Sequence, residues 1–172
     1  MTITKELECD YLIVGAGSSP LAFVDTLLTE LPKSKVILID KKGAPGGHWV
    51  HAYGFVRLHQ PSLVYGISSK QLEGNWLKLM FAKFMLPWTH RANKKELLTY
   101  YSSFVDEKVA SKQLQFYPHS VYDFDKKERT DNGIHYFSSV DGSVSYKVKV
   151  NSKFIDGTQG ECTIPHGKIV YD

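Results

Sequence analysis

The sequence predicts an α/β fold with a central parallel β-sheet, helices on one face and a small antiparallel β element. Three observations predict it. Two short apolar runs, Tyr11 to Val14 and Lys35 to Asp40, indicate strands buried on both faces. A glycine-rich turn follows the first run, and leucines at helical spacing fill the interval between the two runs. Strand, glycine turn, helix and strand within about 30 residues form a βαβ unit, whose crossover is expected to be right-handed.

Two amphipathic helices are predicted from apolar periodicity. The first ends at Pro32 and places five residues on one face: Leu21, Val24, Leu27, Leu28 and Leu31. The second covers residues 93–110, with an apolar face of Leu97, Leu98, Tyr101, Val105 and Val109. Between them, an aromatic segment over residues 75–86 predicts a buried or channel-lining helix that ends at Pro87.

The remainder of the chain is predicted to be β structure. Short strands are expected at residues 113–117, 120–124 and 153–156. Residues 133–140 and 143–150 flank Asp141-Gly142, which is a strong signal for a hairpin turn. The 172 residues are therefore interpreted as one domain, incomplete at its end, with an inserted helical segment at about 68–110 and a β-hairpin at about 133–150.

Composition excludes several classes of protein. With 42% apolar and 13% aromatic residues, the chain can bury a sizeable core. The net charge of +3 and the isolated lysine pairs, such as Lys41-Lys42, indicate a solvated surface and no nucleic-acid partner. The apolar segment from Trp76 to Trp88 is shorter than the ~20 residues that span a bilayer, so membrane association is not expected.

Cysteine usage points to a reducing compartment. Cys9 and Cys162 lie far apart and lack metal-site spacing, which argues against a disulfide framework and excludes an internal Cys-x-x-Cys pair. No apolar run typical of a secretory signal precedes Cys9. We therefore expect a cytoplasmic protein.

The turn after the first strand has the features of a dinucleotide-binding fingerprint. Gly15 allows a tight turn, and Gly17 lets backbone N–H groups approach a pyrophosphate closely. The anion would then lie at the N-terminus of a helix, where unpaired N–H groups favour negative charge. Pro20 stands where the third glycine is usual. The candidate cofactor-binding residues of this turn are Gly15, Gly17, Ser18, Ser19 and Pro20.

Asp40 closes the second strand, 25 residues after Gly15. A carboxylate at this position can accept both hydroxyls of an adenosine ribose and would repel a 2′-phosphate, which favours FAD or NAD over NADP. The alternative from these residues alone is a βαβ unit with an ordinary glycine-rich turn and no ligand.

In the segment Asp40 to Trp49 an acidic residue is followed by Gly-Gly and then by an aromatic residue. This pattern resembles a segment of flavoproteins built like glutathione reductase, especially flavin-containing monooxygenase-like oxidoreductases. The resemblance implies a Rossmann-like FAD-binding domain in which the Gly-Gly turn lies beside the FAD pyrophosphate and ribose. The candidate cofactor-binding residues here are Asp40, Lys41, Gly46, Gly47, His48 and Trp49.

The segment Phe55 to Pro61 is similar to the segment of that family that runs under the flavin ring. The resemblance places Arg57, His59 and Gln60 near the isoalloxazine. Arg57 is the candidate to stabilise the reduced flavin anion, with a structural arginine as the alternative, and His59 is the candidate proton donor. A metal site at His48, His51 and His59 is not expected, because their spacing fits no metal motif.

Three later segments extend the resemblance to Cys9–Thr158. The helix from Lys94 to Phe104 resembles the family helix that precedes the third strand of the FAD sheet. Val121 lies where the family's backbone pairs with adenine. Thr158 belongs to the segment that returns the chain to the FAD domain, where Gly157 replaces the usual alanine.

The family normally continues with an NAD(P)H domain and a late Gly-Asp motif, and the 13 residues from Gly160 to Asp172 accommodate neither. The resemblance therefore implies the FAD-binding portion of a flavin-dependent oxidoreductase, NAD(P)H-linked when intact, with an unidentified small-molecule substrate and a complementing chain or oligomer as partner. Two alternatives stay open: a nucleotide-binding module without redox turnover, and a remnant with an empty site, for which Pro20 is the best support.

Overall fold

The computed structural model describes residues 3–72, 90–125 and 133–157. Two α-helices are described, α1 (Ser18–Glu30) and α2 (Lys94–Ala110), together with short 3₁₀ turns at Gly47–His51 and Ser62–Val64. The strands are β1 (Ile3–Val14), β2 (Val36–Ile39), β3 (Gly66–Ile67), β4 (Lys70–Gln71), β5 (Leu114–Tyr117), β6 (Ser120–Tyr122), β7 (Ile134–Ser139) and β8 (Val144–Asp156).

Six of these strands form one sheet in the order β5-β2-β1-β8-β7-β6, and β3 pairs with β4 in a separate antiparallel hairpin. Strands β5, β2, β1 and β8 are parallel to one another, whereas β7 pairs antiparallel with β8 and β6 pairs antiparallel with β7. This mostly parallel sheet confirms the predicted Rossmann-like α/β fold. Both α-helices pack on the same face of it.

The parallel strands are buried on both faces, as their apolar runs predict. Ile13 and Leu38 face the core shared with α1 and α2. Leu12 and Ile39 face a second core on the opposite side, formed with residues of β6, β7 and β8. Alternating side chains therefore contact two different cores, which is why neither run shows a polar face.

The antiparallel strands curl back over this second face. Tyr117 of β5 makes edge-on ring contacts with Phe137 of β7 at 5.3 Å and with Tyr146 of β8 at 5.1 Å, although β5 lies at the opposite end of the strand order. The Ser120 N–H also donates to the Asp40 carbonyl at 2.9 Å. The end of β6 is thereby fastened beside the end of β2, close to the glycine turn.

Two strands are longer than the sequence predicts. β1 begins at Ile3 because residues 3–9 pair in parallel with residues 144–150 of β8, although this part of β1 is largely exposed and carries no apolar alternation. β8 runs without a break from Val144 to Asp156, so the two short strands predicted there are one. The predicted helix at 75–86 lies outside the described residues, and the single-domain interpretation stays a prediction.

The β3–β4 hairpin is fastened to both helices by buried polar groups. Asp25 of α1, only 1% exposed, accepts hydrogen bonds from the Ser69 N–H at 2.8 Å and from the Ser69 hydroxyl. The Tyr100 hydroxyl of α2 accepts from the Ile67 N–H at 2.6 Å and donates to the Lys70 carbonyl. These bonds satisfy a buried carboxylate and hold the preceding Tyr65 against the start of α1.

Candidate nucleotide-binding site

The first glycine turn ends β1 and starts α1. Gly15 has a φ of 95°, which favours glycine, and its N–H donates to the Ile39 carbonyl at 2.8 Å. Gly17 is the N-cap of α1 and provides no side-chain cap. Pro20 in the first turn has no N–H to donate. The helix therefore presents an N-terminus whose dipole is not compensated by a capping side chain, which favours an anion.

The second glycine turn packs directly on the first. Gly46 has a φ of 130° and Gly47 a φ of 55°, and the Gly46 N–H donates to the Ala16 carbonyl at 2.7 Å. A Cβ added at Gly47 would lie 2.9 Å from the Gly17 Cα. The two turns, separated by 29 residues in the sequence, therefore meet through backbone alone. A side chain at Gly47 would therefore collide with the first turn, whereas a Cβ at Gly17 would lie 3.7 Å from the Gly47 Cα, an ordinary contact.

Asp40 links the strand end to the first turn. Its side chain is 7% exposed; Oδ2 accepts from the Ala16 N–H at 2.6 Å, and Oδ1 accepts from the Lys42 N–H at 2.7 Å. Each oxygen of a carboxylate can accept more than one hydrogen bond. Asp40 therefore fixes the turn and retains acceptor capacity, and the predicted contact with a ribose stays a prediction.

Lys42 is a site residue that sequence reasoning missed. Its ammonium Nζ donates to the Gly47 carbonyl at 2.6 Å, and its side chain is half-buried. Lys42 is thus partly buried and hydrogen-bonded, whereas Lys41, the candidate cofactor-binding residue predicted from the sequence, is exposed and its contact with a cofactor stays a prediction. Asp40 holds the Lys42 backbone N–H, which fixes the start of this side chain beside the second glycine turn. The position two residues after the acidic strand end was the only available signal.

Three hydroxyl groups meet at the first residue of α1. The Ser18 Oγ lies 2.7 Å from the Tyr101 hydroxyl and 2.9 Å from the Tyr65 hydroxyl, and the Tyr101 hydroxyl donates to that of Tyr65 at 2.9 Å. Burial raises the pKa of Tyr101 above its ordinary value, so this group stays protonated. The periodicity predicts Tyr101 only as part of an apolar helix face, because its polar partners lie far away in the chain.

Pro20 packs against Gly157 at the end of β8. A Cβ added at Gly157 would lie 2.2 Å from the Pro20 Cγ and 3.1 Å from the Val14 carbonyl oxygen. Gly157 therefore provides the space that the pyrrolidine ring occupies. The two departures from the flavoprotein pattern, proline for glycine and glycine for alanine, accommodate each other, and Pro20 fits the fold without crowding β1.

The 3₁₀ turn after Gly47 buries an indole donor. Trp49 is 6% exposed, and its Nε1 has no hydrogen-bond partner among the described residues. Buried N–H groups are nearly always paired, so this donor calls for an acceptor. His48 is exposed, with its ring centroid 5.1 Å from that of Trp49.

The predicted flavin-contacting residues lie on the exposed part of the next loop. Arg57, His59 and Gln60 are all exposed, and the Arg57 Nη1 donates to the Arg91 carbonyl at 3.0 Å. Within the described ranges, none of the three hydrogen-bonds to either glycine turn. The structure therefore brings the glycine fingerprint, Asp40 and Gly46-Gly47 together. That Arg57, His59 and Gln60 lie near a flavin stays a prediction.

Val121 lies on β6 opposite Ser138 of β7. The Val140 N–H donates to the His119 carbonyl, and the Asp123 N–H donates to the Tyr136 carbonyl. Because hydrogen-bonded pairs alternate along an antiparallel ladder, the backbone N–H and C=O of Val121 are directed toward β7. Its side chain is exposed to solvent. Its contact with adenine stays a prediction, and Thr158 lies outside the described residues.

Two further searches cover only the part of the chain that the structure describes. Within residues 3–72, 90–125 and 133–157, no three His, Cys, Asp or Glu side chains are grouped so that they could hold a metal ion. In the same ranges, no helix combines the length and apolar character required to cross a bilayer.

Comparison with other sequences finds relatives that are much longer than this chain. No family model matches it. Uncharacterized proteins of Mycobacterium tuberculosis and Mycobacterium bovis are 34% identical over 166 residues, which covers 94% of this chain and 28% of each relative. The chain thus spans little more than a quarter of the length of these relatives.

Solved structures of two monooxygenases and a disulfide reductase share the fold. Cyclohexanone monooxygenase from Rhodococcus sp. Phi1 bound to NADP+ is 19% identical with a TM-score of 0.55, over 94% of this chain and 28% of that one. A flavin monooxygenase from Stenotrophomonas maltophilia is 17% identical with a TM-score of 0.57, over 93% and 42%. Bacillithiol disulfide reductase from Staphylococcus aureus is 13% identical with a TM-score of 0.58, over 88% and 38%. The described residues therefore share the Rossmann-like α/β fold of these solved structures.

Proposed function

We propose that this chain is the FAD-binding portion of a flavin-dependent oxidoreductase, monooxygenase-like and NAD(P)H-linked in the intact enzyme. The observation that carries the proposal is the contact between Gly17 and Gly47 at the N-terminus of α1. A pyrophosphate requires close approach to backbone N–H groups, and two side-chain-free turns at a helix N-terminus permit it.

The surrounding residues fit an FAD molecule. Asp40 retains acceptor capacity for a ribose hydroxyl at the end of β2. The buried Trp49 Nε1 lacks an acceptor among the described residues, and a cofactor oxygen would satisfy it. The flavin monooxygenase with the same fold supports a flavin as the ligand.

When bound, the flavin supplies the redox chemistry, and the protein binds and orients it. In this proposal the glycine turns and Asp40 hold the adenosine diphosphate end, while Arg57 and His59 lie toward the isoalloxazine. The chain spans 28% of the length of its longer relatives, so substrate oxidation and NAD(P)H binding are proposed only for the intact enzyme.

The test is a binding measurement on the purified chain. Bound oxidised flavin gives absorption bands near about 370 and 450 nm, a property of the cofactor. FAD and NAD are titrated while the fluorescence of the protein tryptophans is recorded. We expect FAD to bind more tightly than NAD. A chain that shows no flavin bands and no FAD binding would refute the proposal, and tighter binding of NAD would support a nucleotide-binding module instead.

A matched pair of glycine variants localises the site. Gly17→Val places methyl groups where the pyrophosphate would approach, so FAD affinity should fall by roughly tenfold or more. Gly54→Val adds its side chain where a Cβ meets no atom within 4 Å, so affinity should stay within about twofold. Circular dichroism of both variants checks that the fold is retained. Equal affinities for the two variants would place the nucleotide elsewhere.

A further inference from the structure

Lys42 is held at both ends beside the meeting point of the glycine turns. Its backbone N–H donates to Asp40 and its ammonium donates to the carbonyl of Gly47, whose Cα packs on Gly17. A lysine fixed at both ends loses less side-chain entropy when it binds a further group than a freely rotating one does.

The ammonium of Lys42 has hydrogen-bond donors and a positive charge that remain available for a ligand. An ammonium carries three N–H donors, and one is directed to Gly47. Within the described part of the chain, Lys42 forms no ion pair with any carboxylate, whereas Lys70, Lys147 and Lys149 do. A half-buried cation without an acidic partner is costly unless an anion compensates it.

The local charges favour a phosphate at this point. The carboxylate of Asp40, used here to fix the first turn, lies on the same short segment and would repel an approaching anion. The N-terminus of α1 contributes only about half a positive charge. A full positive charge nearby would therefore favour a pyrophosphate bound at the N-terminus of α1, and Lys42 is fixed beside that N-terminus.

We propose that Lys42 binds the pyrophosphate of the nucleotide. The inference rests on the proposed FAD site and names the residue that recognises the charged part of the ligand. Lys33 follows the C-terminal end of α1, is exposed and makes no side-chain hydrogen bond or ion pair among the described residues, so it provides a control of the same residue type.

The experiment compares ADP with adenosine on the full chain by isothermal titration calorimetry. In Lys42→Met, ADP affinity should fall roughly ten- to a hundredfold, the loss expected for a charge-assisted hydrogen bond, while adenosine affinity stays within about twofold. Lys42→Arg should restore part of the ADP affinity. Lys33→Met should bind both ligands within about twofold of the original chain.

The outcomes separate three cases. Equal losses for ADP and adenosine in Lys42→Met would show a purely structural role and overturn the inference. Unchanged ADP affinity in Lys42→Met, or an equal loss of ADP affinity in Lys33→Met, would also overturn it. Thermal unfolding of Lys42→Met checks that the fold is intact. If the original chain binds FAD but Lys42→Met is unaffected, only this inference fails; if the original chain binds neither FAD nor ADP, the proposed function fails with it.

Discussion

Because Pro20 packs against Gly157, we predict that Gly157→Ala destabilises the chain when Pro20 is present and is close to neutral when Pro20 is replaced by glycine. In Gly157→Ala the new Cβ would lie 2.2 Å from the Pro20 Cγ, against about 3.5 Å for an ordinary carbon–carbon contact, so the two must separate by about 1.3 Å. The Val14 carbonyl oxygen at 3.1 Å hinders movement toward β1. Overpacking of this kind costs about 1–3 kcal/mol, which lowers the Tm by about 2–12 °C in a chain of this size.

Removing the pyrrolidine ring should remove most of this cost. In Pro20→Gly the 2.2 Å contact is absent. The φ of Gly157 lies outside the positive range, so alanine is compatible with it and gains about 0.4–1 kcal/mol from a less flexible unfolded chain. In this background Gly157→Ala should be close to neutral, and the coupling free energy between the two positions should be about 1–3 kcal/mol.

Urea unfolding of the original chain, both single variants and the double variant measures this coupling. Gly54→Ala, at a glycine with no neighbour within 4 Å of an added Cβ, controls for the general effect of replacing glycine with alanine. Free energies that add within about 0.5 kcal/mol would refute the proposed packing of Pro20 on Gly157. Retained FAD binding in the double variant would show that the site tolerates the usual family residues.

Three further predictions concern stability. Tyr101→Phe removes the hydroxyl that bonds Ser18 and should lower the free energy of unfolding by about 0.5–1.5 kcal/mol in urea melts; an unchanged value would contradict the described hydroxyl cluster. Asn93→Ala removes the capping box formed with Glu96 at the start of α2 and should cost about 0.5–2 kcal/mol, with a matching loss in Tm; a gain in stability would exclude this cap. Burial raises the pKa of Cys9 from 9.0 to about 12. As the pH rises, the unfolded chain therefore loses this proton before the folded chain does. The stability that Cys9 contributes is complete below pH 9 and is lost as the pH rises toward 12. Cys9→Ala should therefore reduce the fall in stability between pH 9 and 10, by at most about 1.4 kcal/mol per pH unit, and an identical slope in the variant would contradict the shift.

The sequence by itself determined the βαβ unit and the identity of both glycine turns. These features depend on residues that are close in the chain: an apolar run, a helical period and the distance from Gly15 to Asp40. Glycine is required at Gly15, Gly46 and Gly47 by their positive φ values, a local requirement that the residue type already discloses.

Only the tertiary structure decided how the parts of the site meet. Ser18, Tyr65 and Tyr101 come from three separate elements, and no period or spacing connects them. The first half of β1 has no apolar pattern because it is held mainly by backbone pairing with β8. Hydrogen bonds between distant residues leave no periodic signal in the sequence.

Lys41 and Lys42 show the same division most clearly. As residue types they are identical neighbours, and the sequence predicts a solvated pair in which Lys41 is the candidate cofactor-binding residue. The hydrogen bond from the Lys42 N–H to Asp40, and the folding of the second glycine turn onto the first, bring one ammonium to Gly47 and leave the other in solvent. Long-range contacts determine which of two equal charges belongs to the site, because the energy of a charge depends on its surroundings and not on its position in the chain.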